Sequence, residues 1–170
     1  MARVYDFWLG GKDNYAADRV VAEQVAAAYP DVRAAVRAQR AFLARPLLTS
    51  SPQGTTAYID ADLRATGAIL ERAADIIARL MEAVPPGSYL AISQIASDVA
   101  ADEVAEGVQR YNQQAAAPVA ARTHAEVSQF FASVDLVEPG VVQVHRWRPG
   151  AGDQDSARNL AIYAGVGRKP

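Results

Sequence analysis

The chain has 170 residues, of which 51% are hydrophobic and 21% are charged, a composition that is ordinary for one soluble globular domain. Its net charge of -2 argues against a nucleic-acid binder, because such proteins are usually basic. The absence of cysteine excludes disulfides and thiolate metal sites, and with two histidines we expect no metal site. The sequence has neither a membrane-length apolar run nor a secretory signal pattern, so we expect a cytoplasmic protein without membrane contact.

The first eighteen residues, MARVYDFWLGGKDNYAAD, combine aromatic, glycine and charged residues in one short run. Glycine lets a backbone approach a ligand closely, aromatic faces bury flat ligands, and Asp and Lys supply polar contacts. One interpretation is therefore a lid that faces a ligand. The other is an arm that packs on the body of the protein through Tyr5, Trp8 and Leu9. The residue types alone leave both interpretations open.

Two helices are predicted to follow this run. Hydrophobic periodicity indicates helices over 16–29 and 31–45, and Pro30 separates them. The second helix carries a stripe of three arginines, Arg33, Arg37 and Arg40. Such a stripe is typical of a solvated face, but it also suits contact with a carboxylate or phosphate. We take Arg37 and Arg40 as candidates for binding an anionic group of a substrate.

The middle of the chain predicts a strand, a helix and a second strand. These elements are expected over 56–59, 67–84 and 88–93. This order forms a βαβ unit, so the two strands should be parallel. Asp60 and Asp62 follow the first strand, and ligands bind outside the carboxyl ends of strands in open α/β sheets. The alternative is that one of these acids caps the next helix.

The C-terminal third is predicted to contain two helices and three strands. Residues 98–114 form a polar amphipathic helix, and a capping box from Thr123 to Glu126 opens a shorter one. The strands are expected at 134–137, 141–148 and 160–167. The last two should form an antiparallel pair, with His145 exposed on its face.

Several segments together resemble an actinobacterial family of S-adenosylmethionine-dependent methyltransferases, long catalogued as a domain of unknown function. They occur in the order ARVYDFWLGGKDNYAADR, PDVRAAVRAQRAFLAR, SSPQGTTAYIDADLR, LMEAVPPGSYLAISQIASD, HAEVSQFFASVDLVEPGVVQVHRWRP and YAGVGRKP. The resemblance implies one α/β domain with the class I, Rossmann-like fold, in which a helical lid over 1–46 covers a body over 47–170. It also implies methyl transfer from S-adenosylmethionine to a small-molecule acceptor.

The chain lacks two internal segments of the family pattern, which carry the first, second and fourth strands. The sequence accordingly contains no GxGxxG motif, whose glycines would bring backbone close to a cofactor. We therefore expect a shortened sheet of about four strands that ends in an antiparallel pair, with the strand over 56–60 beside the one over 88–93. Two smaller departures are Gln39, where the family tends to have Asn, and Gln94, where it tends to have His.

The resemblance also implies which residues contact the cofactor. The lid contributes one group, and the acid-rich turn after the strand over 56–60 contributes another, in which Asp62 matches an acid that contacts adenine. The candidates are Tyr5, Gly10, Gly11, Lys12, Asp13, Asp60, Asp62 and Leu63.

Three functions stay open at the level of sequence. The first is a methyltransferase, and the second is a shortened, catalytically inactive family member that acts as a binding or interaction module. The third is a DNA-associated regulatory domain, which the net charge disfavours. A homo-oligomer is compatible with each of these, because a shortened sheet gains stability from a partner.

Overall fold

The computed structural model describes residues 2–48, 69–115, 118–149 and 159–170. Four of the described helices precede the first described strand of a small sheet, and two more follow that strand. The helices are α1 (Ala2–Trp8), α2 (Ala16–Ala28), α3 (Val32–Leu48), α4 (Ile69–Ala83), α5 (Ala101–Asn112) and α6 (His124–Gln129). The strands are β1 (Tyr89–Ile95), β2 (Asp135–Leu136), β3 (Val142–Gln143) and β4 (Ile162–Arg168).

Strand β4 organises the sheet, because each of the other three strands pairs with it in the antiparallel sense. The β1–β4 ladder is the longest and extends from Tyr89 opposite Arg168 to Ile95 opposite Ile162. The spatial order is β1-β4-β2, and β3 also pairs with β4. N-terminal helices and a four-stranded sheet with an antiparallel closing pair confirm the expected α/β fold class.

The third predicted strand is much shorter than the sequence suggested. Only Val142–Gln143 is extended, and a 3-10 turn over Val144–Arg146 follows. The alternating pattern of this segment misleads because Val144 and Trp147 are both buried and lie three residues apart, which is the spacing of a 3-10 helix. His145 is therefore not exposed on a sheet face, and its two ring nitrogens are buried.

The predicted strand over 56–60 lies outside the described residues, and so do Asp60, Asp62 and Leu63. Its parallel pairing with β1 stays a prediction. In the part of the chain that is described, β1 pairs along its length with β4. None of the helices within the described ranges is both long enough and apolar enough to cross a membrane.

The N-terminal helices are held to the sheet by a few specific contacts. Trp8 Nε1 donates a hydrogen bond to the carbonyl oxygen of Ala22 (3.1 Å), which fixes α1 on α2. The Tyr29 hydroxyl accepts the backbone N–H of Ala161 (2.8 Å), which joins the end of α2 to the chain entering β4. Both bonds are buried, where an unpaired polar group is costly, so they define how these helices sit on the body.

Helix α2 buries one narrow face, which consists mainly of small residues. The residues that the helix buries are Ala22, Val25 and Ala28, whereas Val20 is 53% exposed. Its small residues allow close approach to α5, on which it packs.

Candidate ligand-binding cleft between the glycine turn and helix α3

The chain reverses direction directly after α1. Gly10 has a φ of +82°, in the left-handed region that favours glycine. The backbone N–H of Gly11 donates to the carbonyl oxygen of Asp6 (2.8 Å), which closes the turn on the last turn of α1. We call Gly10 and Gly11 the glycine turn. Trp8 anchors the N-terminal run in the core, and the residues from Gly10 to Asp13 are exposed. The interpretation of the run as a lid that faces a ligand stays a prediction.

The glycine turn fixes the carboxylate of Asp6. A Cβ atom on Gly11 would lie 1.9 Å from Asp6 Oδ1, so this approach requires glycine. From the other side, Asn14 Nδ2 donates to Asp6 Oδ2 (2.8 Å). Asp6 and Asn14 were missed as site residues from the sequence. One signal in the sequence could have indicated Asp6. The two glycines follow it by four and five residues, a spacing at which a glycine that ends a helix lies close to the last helical turn.

Helix α3 supplies the opposite wall. Phe42 is 1% exposed and its ring contacts the Trp147 ring edge-on, with the centroids 5.1 Å apart. Gln39 Nε2 donates to Ser93 Oγ (2.7 Å), which holds α3 on β1. These contacts fix the rotation of α3 and leave the next residue, Arg40, exposed beside α1.

The two walls enclose a cleft of about 370 Å³ that opens to solvent. Its size is at the lower end of the roughly 300–1,000 Å³ of small-molecule sites. A carboxylate and a guanidinium face the same cleft, yet among the described residues Arg40 forms no ion pair with Asp6 or another acid. The lining residues are Asp6, Leu9, Gly10, Gly11 and Arg40.

Among the proposed site residues that lie in the described ranges, Gly10, Gly11 and Arg40 come together at this cleft. Lys12 and Asp13 follow directly in the chain and are exposed.

Tyr5 and Arg37 lie outside the lining of this cleft. Tyr5 is half-buried and packs edge-on to Trp8, with ring centroids 5.9 Å apart, and burial raises the pKa of its hydroxyl. The phenol therefore stays protonated at neutral pH. Arg37 is exposed one helical turn before Arg40.

The arginine stripe of α3 is not uniform. Arg33 Nη2 lies 2.8 Å from Glu23 Oε1, and its guanidinium also lies 5.5 Å from the centroid of the Phe7 ring. Arg33 thus joins α3 to α1 and α2 in the described structure. All three arginines of the stripe are exposed, as expected for a solvated face. They differ in that Arg33 contacts α1 and α2, whereas Arg40 faces the cleft.

A second polar cluster surrounds Asp98, just after β1. Burial acts to raise the pKa of Asp98, but the backbone N–H of His124 (3.0 Å) and the Tyr163 hydroxyl outweigh it and lower the pKa. Burial and the same carboxylate raise the pKa of Tyr163 to about 12. His124 Nε2 donates to the carbonyl oxygen of Val141 (2.9 Å). Because these groups satisfy one another, the cluster is a structural link between α6, β3 and β4.

No metal-binding cluster of three or more His, Asp or Glu side chains occurs within the described ranges. The cleft between the glycine turn and α3 instead combines a carboxylate, a guanidinium and glycine backbone on one open surface. The cleft offers a carboxylate on α1, from Asp6, and a guanidinium on α3, from Arg40.

Comparison with known proteins gives one family. A family model described as S-adenosyl methyltransferase matches residues 1–47 and 70–170, which include the glycine turn, Arg40 and all four described strands. No curated protein matches the chain.

Two solved structures share the fold. The chain is similar to a DUF574 family protein from Streptomyces avermitilis MA-4680, with 28% identity and a TM-score of 0.81 over 99% of this chain and 97% of that one. It is also similar to a proposed methyltransferase from Thermobifida fusca YX, with 22% identity and a TM-score of 0.76 over 99% of this chain and 94% of that one.

The family match covers most of the chain and leaves out residues 48–69, where Asp60, Asp62 and Leu63 lie. The cofactor expected for this family is S-adenosylmethionine, and its chemistry is methyl transfer. The resemblance that the sequence motifs indicated is therefore confirmed, and the chain belongs to the S-adenosyl methyltransferase family.

Proposed function

We propose that this chain binds S-adenosylmethionine at the cleft between the glycine turn and α3, and that the methyl group goes to a small-molecule acceptor. One observation carries the proposal: a carboxylate and a guanidinium that form no ion pair with any described residue face one cleft, within a segment that the family model matches. In this proposal residues 1–46 act as a lid, and residues 47–170 form the body of a single domain.

The residues of the cleft fit one part of the cofactor in particular. S-adenosylmethionine carries an ammonium and a carboxylate at one end, and Asp6 and Arg40 offer the complementary charges. When bound, the cofactor supplies an electrophilic methyl group, and the protein's contribution is to hold donor and acceptor in line. Lys12 and Asp13 extend the polar surface of the lid. Asp60, Asp62 and Leu63 remain the proposed contacts for the adenosine end.

The glycine turn allows a direct test of binding at this cleft. Gly10 and Gly140 have φ values of +82° and +84°, and a Cβ atom on either would meet nothing within 4 Å. Gly10→Leu and Gly140→Leu therefore carry similar backbone strain, but only Gly10 lines the cleft. Calorimetric titration with S-adenosylhomocysteine should show affinity reduced on the order of tenfold or more for Gly10→Leu alone. Equal affinity in the two variants would contradict the proposed site.

The small-molecule acceptor is what the family resemblance implies, and a labelling experiment tests it. The chain is incubated with methyl-labelled S-adenosylmethionine and an actinobacterial extract that has been separated into low-molecular-weight and macromolecular fractions. Label transferred to the low-molecular-weight fraction supports the proposal. Label that appears only in the macromolecular fraction contradicts it.

A second candidate is a family member that binds the cofactor without catalysis. The observation that favours it is the absence of a GxGxxG motif from the whole sequence, together with the gap in the family match at 48–69. The two functions differ in one result. Saturable binding of S-adenosylmethionine with no labelled product in either fraction indicates the binding module.

A further inference from the structure

We infer that the cleft holds the amino-acid end of S-adenosylmethionine, with Arg40 bound to the α-carboxylate and Asp6 bound to the α-ammonium. This inference rests on the proposed function and assigns a role to two side chains. It also gives the cleft a chemical class of ligand, the α-amino acid zwitterion.

The cleft carries two opposite charges that are not paired with each other. Asp6 and Arg40 face one cleft, yet they lie beyond ion-pair distance of each other. The Asp6 carboxylate accepts a hydrogen bond from Asn14 and keeps further acceptor capacity for a ligand. Other arginines nearby are engaged: Arg33 pairs with Glu23 and Arg3 with Asp18. A ligand that carries both charges would satisfy Asp6 and Arg40 at once, and charge-assisted hydrogen bonds are among the stronger ones.

The Asp6 carboxylate and the backbone that carries Arg40 are both held in place before a ligand arrives. Asn14 and the backbone at Gly11 hold the Asp6 carboxylate on the end of α1. Helix α3 is fixed on β1 by the Gln39–Ser93 hydrogen bond, so the base of the Arg40 side chain is fixed too. Preorganised groups lose less entropy on binding, which favours a specific polar contact over a general surface charge.

The lining of the cleft suits the amino-acid end of the cofactor better than its adenosine end. An adenine ring is bound mainly by flat apolar or aromatic walls. The aromatic rings nearest the glycine turn are committed elsewhere, because Trp8 is buried against α2 and Tyr5 packs on Trp8. Leu9 is the only apolar side chain in the described lining of the cleft. The cleft therefore matches the charged end better than the adenosine end.

The test compares three ligands and three proteins by calorimetric titration. S-adenosylhomocysteine and L-methionine contain the amino-acid end, whereas 5′-methylthioadenosine lacks it. The proteins are the wild type, Arg40→Gln, and Arg79→Gln as the matched control. Arg79 is an exposed arginine on α4 and does not line the cleft. Thermal melting of each variant checks that it is folded.

We expect Arg40→Gln to weaken binding of S-adenosylhomocysteine on the order of tenfold or more, since a charge-assisted contact is lost. Binding of 5′-methylthioadenosine should be the same in all three proteins. Asp6→Asn is a second variant that keeps the shape of the side chain, and it should show the same selectivity between ligands.

The outcomes separate the inference from the proposed function. If S-adenosylhomocysteine binds the wild type and Arg40→Gln equally well, the inference is overturned and the proposed function stands. If Arg40→Gln weakens 5′-methylthioadenosine as much as S-adenosylhomocysteine, the assignment to the amino-acid end is also overturned. If neither S-adenosylmethionine nor its product binds the wild type, the proposed function fails. In that case, L-methionine binding that Arg40→Gln abolishes still supports the cleft as an amino-acid site.

Discussion

In the candidate site, the backbone of Gly11 lies directly against the carboxylate of Asp6. The glycine is required because the carboxylate occupies the place of its Cβ atom, and Asn14 completes the arrangement. The sequence predicted the glycines because a Gly-Gly pair among aromatics is a local signal. It did not predict Asp6, because the role of this residue comes from the way α1 ends and the chain folds back over it.

His145 shows a similar limit of sequence reasoning at the residue scale. Its neighbours alternate as in a strand, but the 3-10 turn buries both ring nitrogens, and neither has a partner among the described residues. Burial lowers the pKa of this imidazole, and the Arg146 charge lowers it further. The chain has only two histidines, so the effect of each on stability can be separated.

We predict that His145 makes the protein less stable in mild acid. Because the folded-state pKa lies below the unfolded value, stability is full above the unfolded pKa of about 6.5 and is lost as pH falls through the folded pKa. Thermal melting from neutral to mildly acidic pH should show this slope, and His145→Phe should reduce it. An unchanged slope in His145→Phe contradicts the prediction.

At the scale of elements, the capping signals were the most reliable. The box from Thr123 to Glu126 starts α6 as predicted: Glu126 N–H donates to Thr123 Oγ1 (3.3 Å), and Thr123 N–H donates to Glu126 Oε2 (2.7 Å). Because a capping box involves only four consecutive residues, it can be recognised from the sequence alone. The helix at Ala2–Trp8 was missed, because its few residues mix aromatic and charged types without a clear period.

We predict that the cap of α6 contributes measurably to stability. Thr123→Ala removes the hydroxyl that accepts the Glu126 N–H, which should cost about 1 kcal/mol. For a domain of this size, the melting temperature should fall by about 2–4 °C. Thr123→Ser keeps the hydroxyl and should remain near the wild type in melts followed by circular dichroism. A Thr123→Ala variant that melts with the wild type would show that the cap is not important.

At the scale of the whole molecule, the sequence predicted the class of fold and the antiparallel pairing of the last strand. It did not predict that β4 would pair with all three other described strands, because pairing partners depend on contacts distant in sequence. The candidate site was predicted only in part for the same reason. Gly10, Gly11 and Arg40 come from separate elements, and their meeting depends on how α3 rests on β1.

The central claim is that this small domain binds its cofactor at the cleft between the glycine turn and α3. Nuclear magnetic resonance of the backbone amides during titration with S-adenosylhomocysteine tests this claim most directly. The account predicts saturable shifts for the amides of Gly10, Gly11 and Arg40, with little change in α5, which does not line the cleft. Saturable shifts confined to other elements, or no shifts at millimolar ligand, would contradict it.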